Sequence, residues 1–204
     1  NITESQTSST TTAQWDNEPR DPLAQSFWVD PIENPSGIFV SNVKIYFATK
    51  EDNHGVPVQC QLRNIVNGTP DNRPIPGAVK FVNPINVNVP SNLTSLGDSS
   101  DTANTTIAAS PTNFTFDEPI YLQPGQEYAI VLLAESTKYT VHVAETYEFL
   151  IGTTAKRVAK QPTLGSLFMS QNGSTWTPEQ TKDLMFVIER MEFNSSCLLY
   201  TSPS

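Results

Sequence analysis

Residues 56–63, V-P-V-Q-C-Q-L-R, decide the fold. In an extended chain Val56, Val58, Cys60 and Leu62 fall on one side, and Pro57, Gln59, Gln61 and Arg63 on the other. A period of two with one apolar side is the pattern of a half-buried strand. Asn67-Gly68 follows, a pair that accepts positive φ and closes a hairpin. Upstream, I-F-V-S-N-V-K-I-Y-F-A-T-K (38–50) repeats the pattern. Val43, Ile45 and Phe47 share one face, and Lys44, Tyr46 and Ala48 the other, with a turn over 51–55.

The same reading extends in both directions. Ala24, Ser26 and Trp28 alternate with Gln25, Phe27 and Val29 in a short strand, which Asp30-Pro31 ends. Residues 69–77 carry Pro70, Pro74, Pro76 and Gly77 and read as a loop, followed by short strands over 78–82 and 85–89. The stretch 90–113 loses all periodicity and reads as a long polar loop. Phe114 and Phe116 resume the β pattern, and 119–122 is a further short strand. Gln123-Pro124-Gly125-Gln126 is a turn. E-Y-A-I-V-L-L-A (127–134) is apolar on both faces, as a central strand covered on both sides must be. Residues 139–144 alternate again, and 148–151 is a candidate edge.

Residues 156–165 are a connector, and 168–176 form a hairpin around Asn172-Gly173. Thr177-Pro178-Glu179-Gln180 suits a helical turn, and 184–193 is the last strand. Roughly ten short strands at regular spacing predict an all-β protein, a two-sheet antiparallel β-sandwich with a jelly-roll-like course. Three segments result. Residues 1–20 are a Ser/Thr-rich arm, 21–193 the β-sandwich domain, and 194–204 a terminal tail.

Composition narrows the function. Of 204 residues 37% are hydrophobic and only 16% charged, so uncharged polar residues dominate the surface, as on exposed sheets. The net charge of −9 argues against nucleic acid as a partner. No apolar run is long enough to span a bilayer, so no membrane insertion is expected. No basic segment followed by an apolar run opens the chain. The two cysteines, Cys60 and Cys197, and the two histidines, His54 and His142, do not make a zinc-binding spacing. His54 reads as a turn residue and His142 as an outward strand residue. No nucleophile stands beside a base, and no cofactor is expected.

The remaining candidates concern recognition. Trp15, the one large apolar residue of the arm besides Ile2, is its natural anchor. Lys156, Arg157 and Lys160 form the basic cluster of an acidic chain and suit docking to an acidic neighbour. Trp28, Tyr46, Tyr147 and Trp176 offer faces for sugar stacking, against which stands simple core packing. Asp117-Glu118 and Glu51-Asp52 offer paired carboxylates for Ca²⁺, against which stands a solvated turn. Sequons at Asn67, Asn92, Asn104, Asn113 and Asn172 read as Asn-rich turns.

Five stretches carry a resemblance. They are D-P-L-A-Q-S-F (21–27), G-I-F-V-S-N-V-K-I-Y-F-A-T-K (37–50), V-P-V-Q-C-Q-L-R-N-I-V-N-G-T-P (56–70), F-D-E-P-I-Y-L-Q-P-G-Q-E-Y-A-I-V-L-L-A-E-S (116–136) and K-Q-P-T-L-G-S-L-F-M-S-Q-N-G-S-T-W-T-P (160–178). Together they resemble a β-sandwich domain of the virion structural proteins of contractile-tailed bacteriophages, of the baseplate and tail-fibre type. The resemblance implies a non-enzymatic structural and interaction module located in a virion. Its partners would be other virion subunits, including further copies of the chain in a homo-oligomer, and a host-surface glycan. The alternative it leaves open is a carbohydrate-binding or adhesion module of a bacterial surface or secreted protein. It carries over no catalytic or metal-binding residue.

Overall fold

The computed structural model describes residues 12–14, 22–90, 106–107, 109–145, 165–170 and 174–193. The strands are β1 (Thr12–Gln14), β2 (Leu23–Trp28), β3 (Ile38–Ile45), β4 (Phe47–Thr49), β5 (Val58–Val66) and β6 (Thr69–Val82). They continue with β7 (Thr112–Leu122), β8 (Glu127–Ala134), β9 (Thr140–Glu145), β10 (Leu167–Ser170), β11 (Trp176–Glu179), β12 (Lys182–Leu184) and β13 (Phe186–Met191). The fold is all-β, and the strand pairs are antiparallel.

Hydrogen bonding divides the strands among three sheets. One has six strands in the order β11-β10-β2-β8-β5-β6, and a second has the order β13-β3-β7. The third is built around β9, which pairs with β1, β4 and β12. Inward side chains from all three meet in one apolar core. Leu23 and Phe27 enter from β2, Val58, Cys60 and Leu62 from β5, and Tyr128, Ile130 and Leu132 from β8. Val40, Val43 and Ile45 enter from β3, Phe114, Phe116, Ile120 and Leu122 from β7, and Val141 and Val143 from β9. Each such side chain, fully buried, contributes roughly 1.5–3 kcal/mol.

The two-sided apolar strand of the sequence, 127–134, is β8. It lies between β2 and β5. Its other face, Ala129 and Val131, packs with Ala24, Phe168 and Trp176 in a second cluster. The hairpin at Asn67-Gly68 forms as its residues dictate, with φ of 52° and 80°.

Several local readings are corrected. Residues 69–77 are not a loop, because β6 runs unbroken from Thr69 to Val82 despite its prolines. It is the last strand of its sheet, and an edge strand tolerates prolines that lack an N–H donor. The register against β5 slips twice, between Gln61 and Arg63 and between Arg63 and Ile65. Residues 85–89 form no strand. Pro84–Asn86 make a 3-10 turn started by Pro84, leaving Ile85 exposed and Val87 buried.

The end of the stretch read as a 90–113 loop already belongs to β7, which then continues through Pro119 as one strand. Thr177–Glu179 lie in β11 and not in a helical turn, since β10 offers the register pair Phe168↔Pro178. The last strand is two, β12 and β13, interrupted at Met185. The arm anchor Trp15, the edge at 148–151, the 156–164 part of the connector, the Asn172-Gly173 tip and the tail 194–204 lie outside the described residues.

Candidate functional site

The outer face of the three-stranded sheet carries the most unusual surface among the described residues. Phe39 on β3 pairs in register with Tyr121 on β7 and with Met191 on β13, which sets three large side chains side by side. Ser41 is an extra residue of β3 against β13, a bulge between Val40 and Asn42, and the β3–β7 register shifts at the same place. It lets Val40 and Val43, three residues apart, both reach the core while Phe39 and Asn42 face out. Phe193, two residues past Met191, meets Phe39 edge-on, with centroids 4.8 Å apart and planes at 84°. The Phe39 and Tyr121 rings are 5.0 Å apart at 44°. These separations are those of favourable aromatic pairs. Tyr121 and Met191 each expose 45% of their surface and Phe193 64%.

The ring of Tyr121 is held in place. Its hydroxyl donates to the Ser36 carbonyl at 3.1 Å. Gly37 passes beneath it with φ of +76°, and a Cβ there would stand 2.8 Å from the ring and 2.4 Å from the Leu122 oxygen. Only glycine fits that path. Next to Met191 on β13, Arg190 pairs in register with the core residue Val40 and so lies on the other side of the sheet from the rings. The Arg190 guanidinium donates to Asn34 Oδ1 and lies 3.8 Å from the Glu192 carboxylate. At the far end of the face, Glu189 accepts from Lys44 Nζ and, at 2.8 Å, from Asn42 Nδ2. Asn42 also donates to Asn113 Oδ1 at 3.0 Å. The bonds from Asn42 and then Lys44 hold the Glu189 carboxyl below its ordinary pKa.

No protein-family model, curated protein or solved structure matches the chain. The site is therefore characterised by its own chemistry.

The residues singled out from sequence fare unevenly. Tyr46 and Trp176 are buried, Tyr46 against Ile107 and Met185, Trp176 in the second cluster, so neither presents a ring to a ligand. Trp28 is half exposed at the end of β2. Tyr147, Trp15, Lys156, Arg157 and Lys160 lie outside the described residues. Asp117 pairs with Lys80. Glu51 and Asp52 both pair with Lys138 at 3.1 Å, and Ser136 donates to Glu51. The bonds from Ser136 and then Lys138 lower the Glu51 pKa. Among the described residues no group of three or more His, Cys, Asp or Glu is placed to hold a metal ion. None of their helices is long and apolar enough to cross a membrane.

Two buried groups complete the electrostatics. Cys60 sits in the main core, where burial raises its thiol pKa far above the ordinary value. His142 faces away from that core, as its alternation requires, but is only 3% exposed rather than outward in solvent. Neither ring nitrogen has a hydrogen-bond partner among the described residues, and burial lowers the imidazole pKa to about 4. A shallow groove of about 410 Å³ is lined by Lys50, Ile85, Val87, Asn88, Val89 and Ala109, among others. Lys50 already donates to the Pro84 and Val87 carbonyls beside it.

Sequence reasoning missed Phe39, Tyr121, Met191 and Phe193. Tyr121 was within reach, since it stands between Ile120 and Leu122, both of which point inward. Phe39 was hidden by the bulge, which breaks the period of two next to it.

Proposed function

We propose that the chain is a non-enzymatic structural and interaction module of a phage virion, in its tail, baseplate or fibre. Neighbouring subunits, further copies of the chain and the host surface are its partners, and docking is its work. The five quoted stretches support the setting. The observation that carries the docking role is the aromatic face, where Phe39, Tyr121, Met191 and Phe193 gather on the outside of a sheet. Exposing such rings costs solvation free energy, and surface patches of this kind mark contact sites. The antiparallel scaffold holds the face in one shape, so little conformational entropy is lost on contact.

The test is localisation in the particle. Purified virions probed with an antibody against the chain should label at one structure of the tail, and their peptide digest should contain the chain at fixed stoichiometry. Virions free of its peptides would overturn the proposal.

A further inference from the structure

We infer that Asn67, at the tip of the β5–β6 hairpin, is a site of spontaneous chemical modification, where the side-chain amide is lost through a cyclic imide to give isoaspartate and aspartate.

The reaction needs a side-chain amide that is open to solvent and unengaged. Val66, Asn67 and Gly68 are exposed, and the Asn67 side chain makes no hydrogen bond with the described residues. It also needs a following amide that is free to attack. Val66 pairs with Thr69, so the Gly68 N–H stands outside the β5–β6 ladder and has no partner among the described residues. Last, it needs room for the ring. Gly68 has no Cβ, and even a Cβ built there would meet nothing within 4 Å. Every other described asparagine is followed by a residue with a Cβ. For Asn34 and Asn83 that residue is a proline, which has no N–H to attack with.

The backbone adds a further reason. Asn67 has a φ of 52°, and among the described residues it alone, glycines apart, is at positive φ. A residue with a side chain populates that region sparsely, so the turn depends on the ladder beside it. Loss of the terminal Val66–Thr69 pair frees the Asn67 Cα–C bond to rotate and brings the Gly68 nitrogen to the side-chain carbon. Val66 is 48% exposed, so this pair opens locally while the core stays closed.

In the reaction the Gly68 nitrogen gives up its proton to hydroxide and attacks the Asn67 side-chain carbonyl carbon. The new C–N bond closes the imide ring. The bond to the side-chain nitrogen breaks, and that nitrogen takes a proton from water and leaves as ammonia. Water then opens the imide. Opening at the backbone carbonyl routes the chain through the side-chain carbon, which is isoaspartate, and opening at the other carbonyl gives aspartate. Either product adds a negative charge to a chain already at −9. Isoaspartate also lengthens the backbone of a two-residue turn that fixes the register, so the adjoining β5–β6 pairs must shift.

The test keeps the full native chain at mildly alkaline pH for days and maps its tryptic peptides by tandem mass spectrometry. Asn67 should lose its amide before any other described asparagine, with fragment ions separating it from Asn64 and Asn72. Its peptide should then accept a methyl group from an isoaspartyl methyltransferase. In heavy-oxygen water the new carboxylate should carry the label, as imide hydrolysis requires. Asn67→Gln, whose longer side chain closes a ring far more slowly, should lose the signal, with circular dichroism establishing that the variant is folded. Asn172-Gly173, outside the described residues, lies in a different tryptic peptide and is read by itself. An Asn67 that stays intact in the native chain, whatever the urea-unfolded chain does, overturns the inference. So does native conversion that begins at another described asparagine.

Discussion

Mild acid should destabilise this protein through His142. In the folded chain the imidazole lies in register with Tyr46 and Met185, whose backbone groups exchange hydrogen bonds with those of His142. Neither ring nitrogen has a partner among the described residues, and burial lowers the pKa from 6.5 to about 4. The unfolded chain takes up a proton as the pH falls through 6.5, whereas the folded chain refuses it until about 4. Stability is therefore full above 6.5 and declines as the pH drops through that window. Each pH unit across it is worth about 1.4 kcal/mol, so the loss is about 3 kcal/mol once the pH reaches 4.

Glu51 and Glu189, whose pKa values are lowered in the fold, lose their contributions only further into acid. Measurements between pH 7 and 5 isolate the histidine, with an expected loss of about 2 kcal/mol. Urea titrations followed by circular dichroism give the stability at each pH. His142→Leu, similar in volume and without titratable nitrogens, should flatten the curve between pH 6.5 and 5. Parallel pH profiles for wild type and variant would refute the reasoning. So would an NMR titration that places the His142 pKa near 6.5.

Other perturbations have equally definite outcomes. Gly37→Ala puts a Cβ 2.4 Å from the Leu122 carbonyl at a φ of +76°, and should lower the urea-derived stability by about 2 kcal/mol or more. Gln25 is fully buried, accepts from the Leu184 amide at 2.8 Å and donates to Asp183 at 3.3 Å. Gln25→Ala removes both bonds between β2 and β12 and should cost about 2–3 kcal/mol in the same assay. Tyr139 donates to the Val56 carbonyl at 2.6 Å, and its burial pushes the phenol pKa up to about 12. Tyr139→Phe should cost about 1 kcal/mol. An aromatic thiol reagent should leave Cys60 unmodified in the native protein and modify it in urea, because burial disfavours the thiolate. Rapid native labelling at Cys60, located by peptide mapping, would contradict the core placement.

Legibility in the sequence followed the range of the interactions. β5 and β8 were plain because alternation and two-sided apolarity are local patterns. β6 was misread because Pro70, Pro74 and Pro76 look alike in a loop and in an edge strand. Only its place at the margin of the sheet separates the two. β11 was misread because Pro178 suits the first turn of a helix and an edge strand equally, and β10 supplies the deciding partner. The aromatic face was invisible, since residues 39, 121, 191 and 193 are brought together by pairings that span most of the chain.

The amino-acid order by itself determined that this chain is built of strands and, in regular stretches such as β5 and β8, which side chains enter the core. Both follow from a period of two and from solvation, acting within a few residues. The tertiary structure alone decided which strands pair, why His142 is dry although it faces away from the main core, and which rings stay wet. Those depend on long-range closure, where register and coverage are set by whichever distant segment packs best.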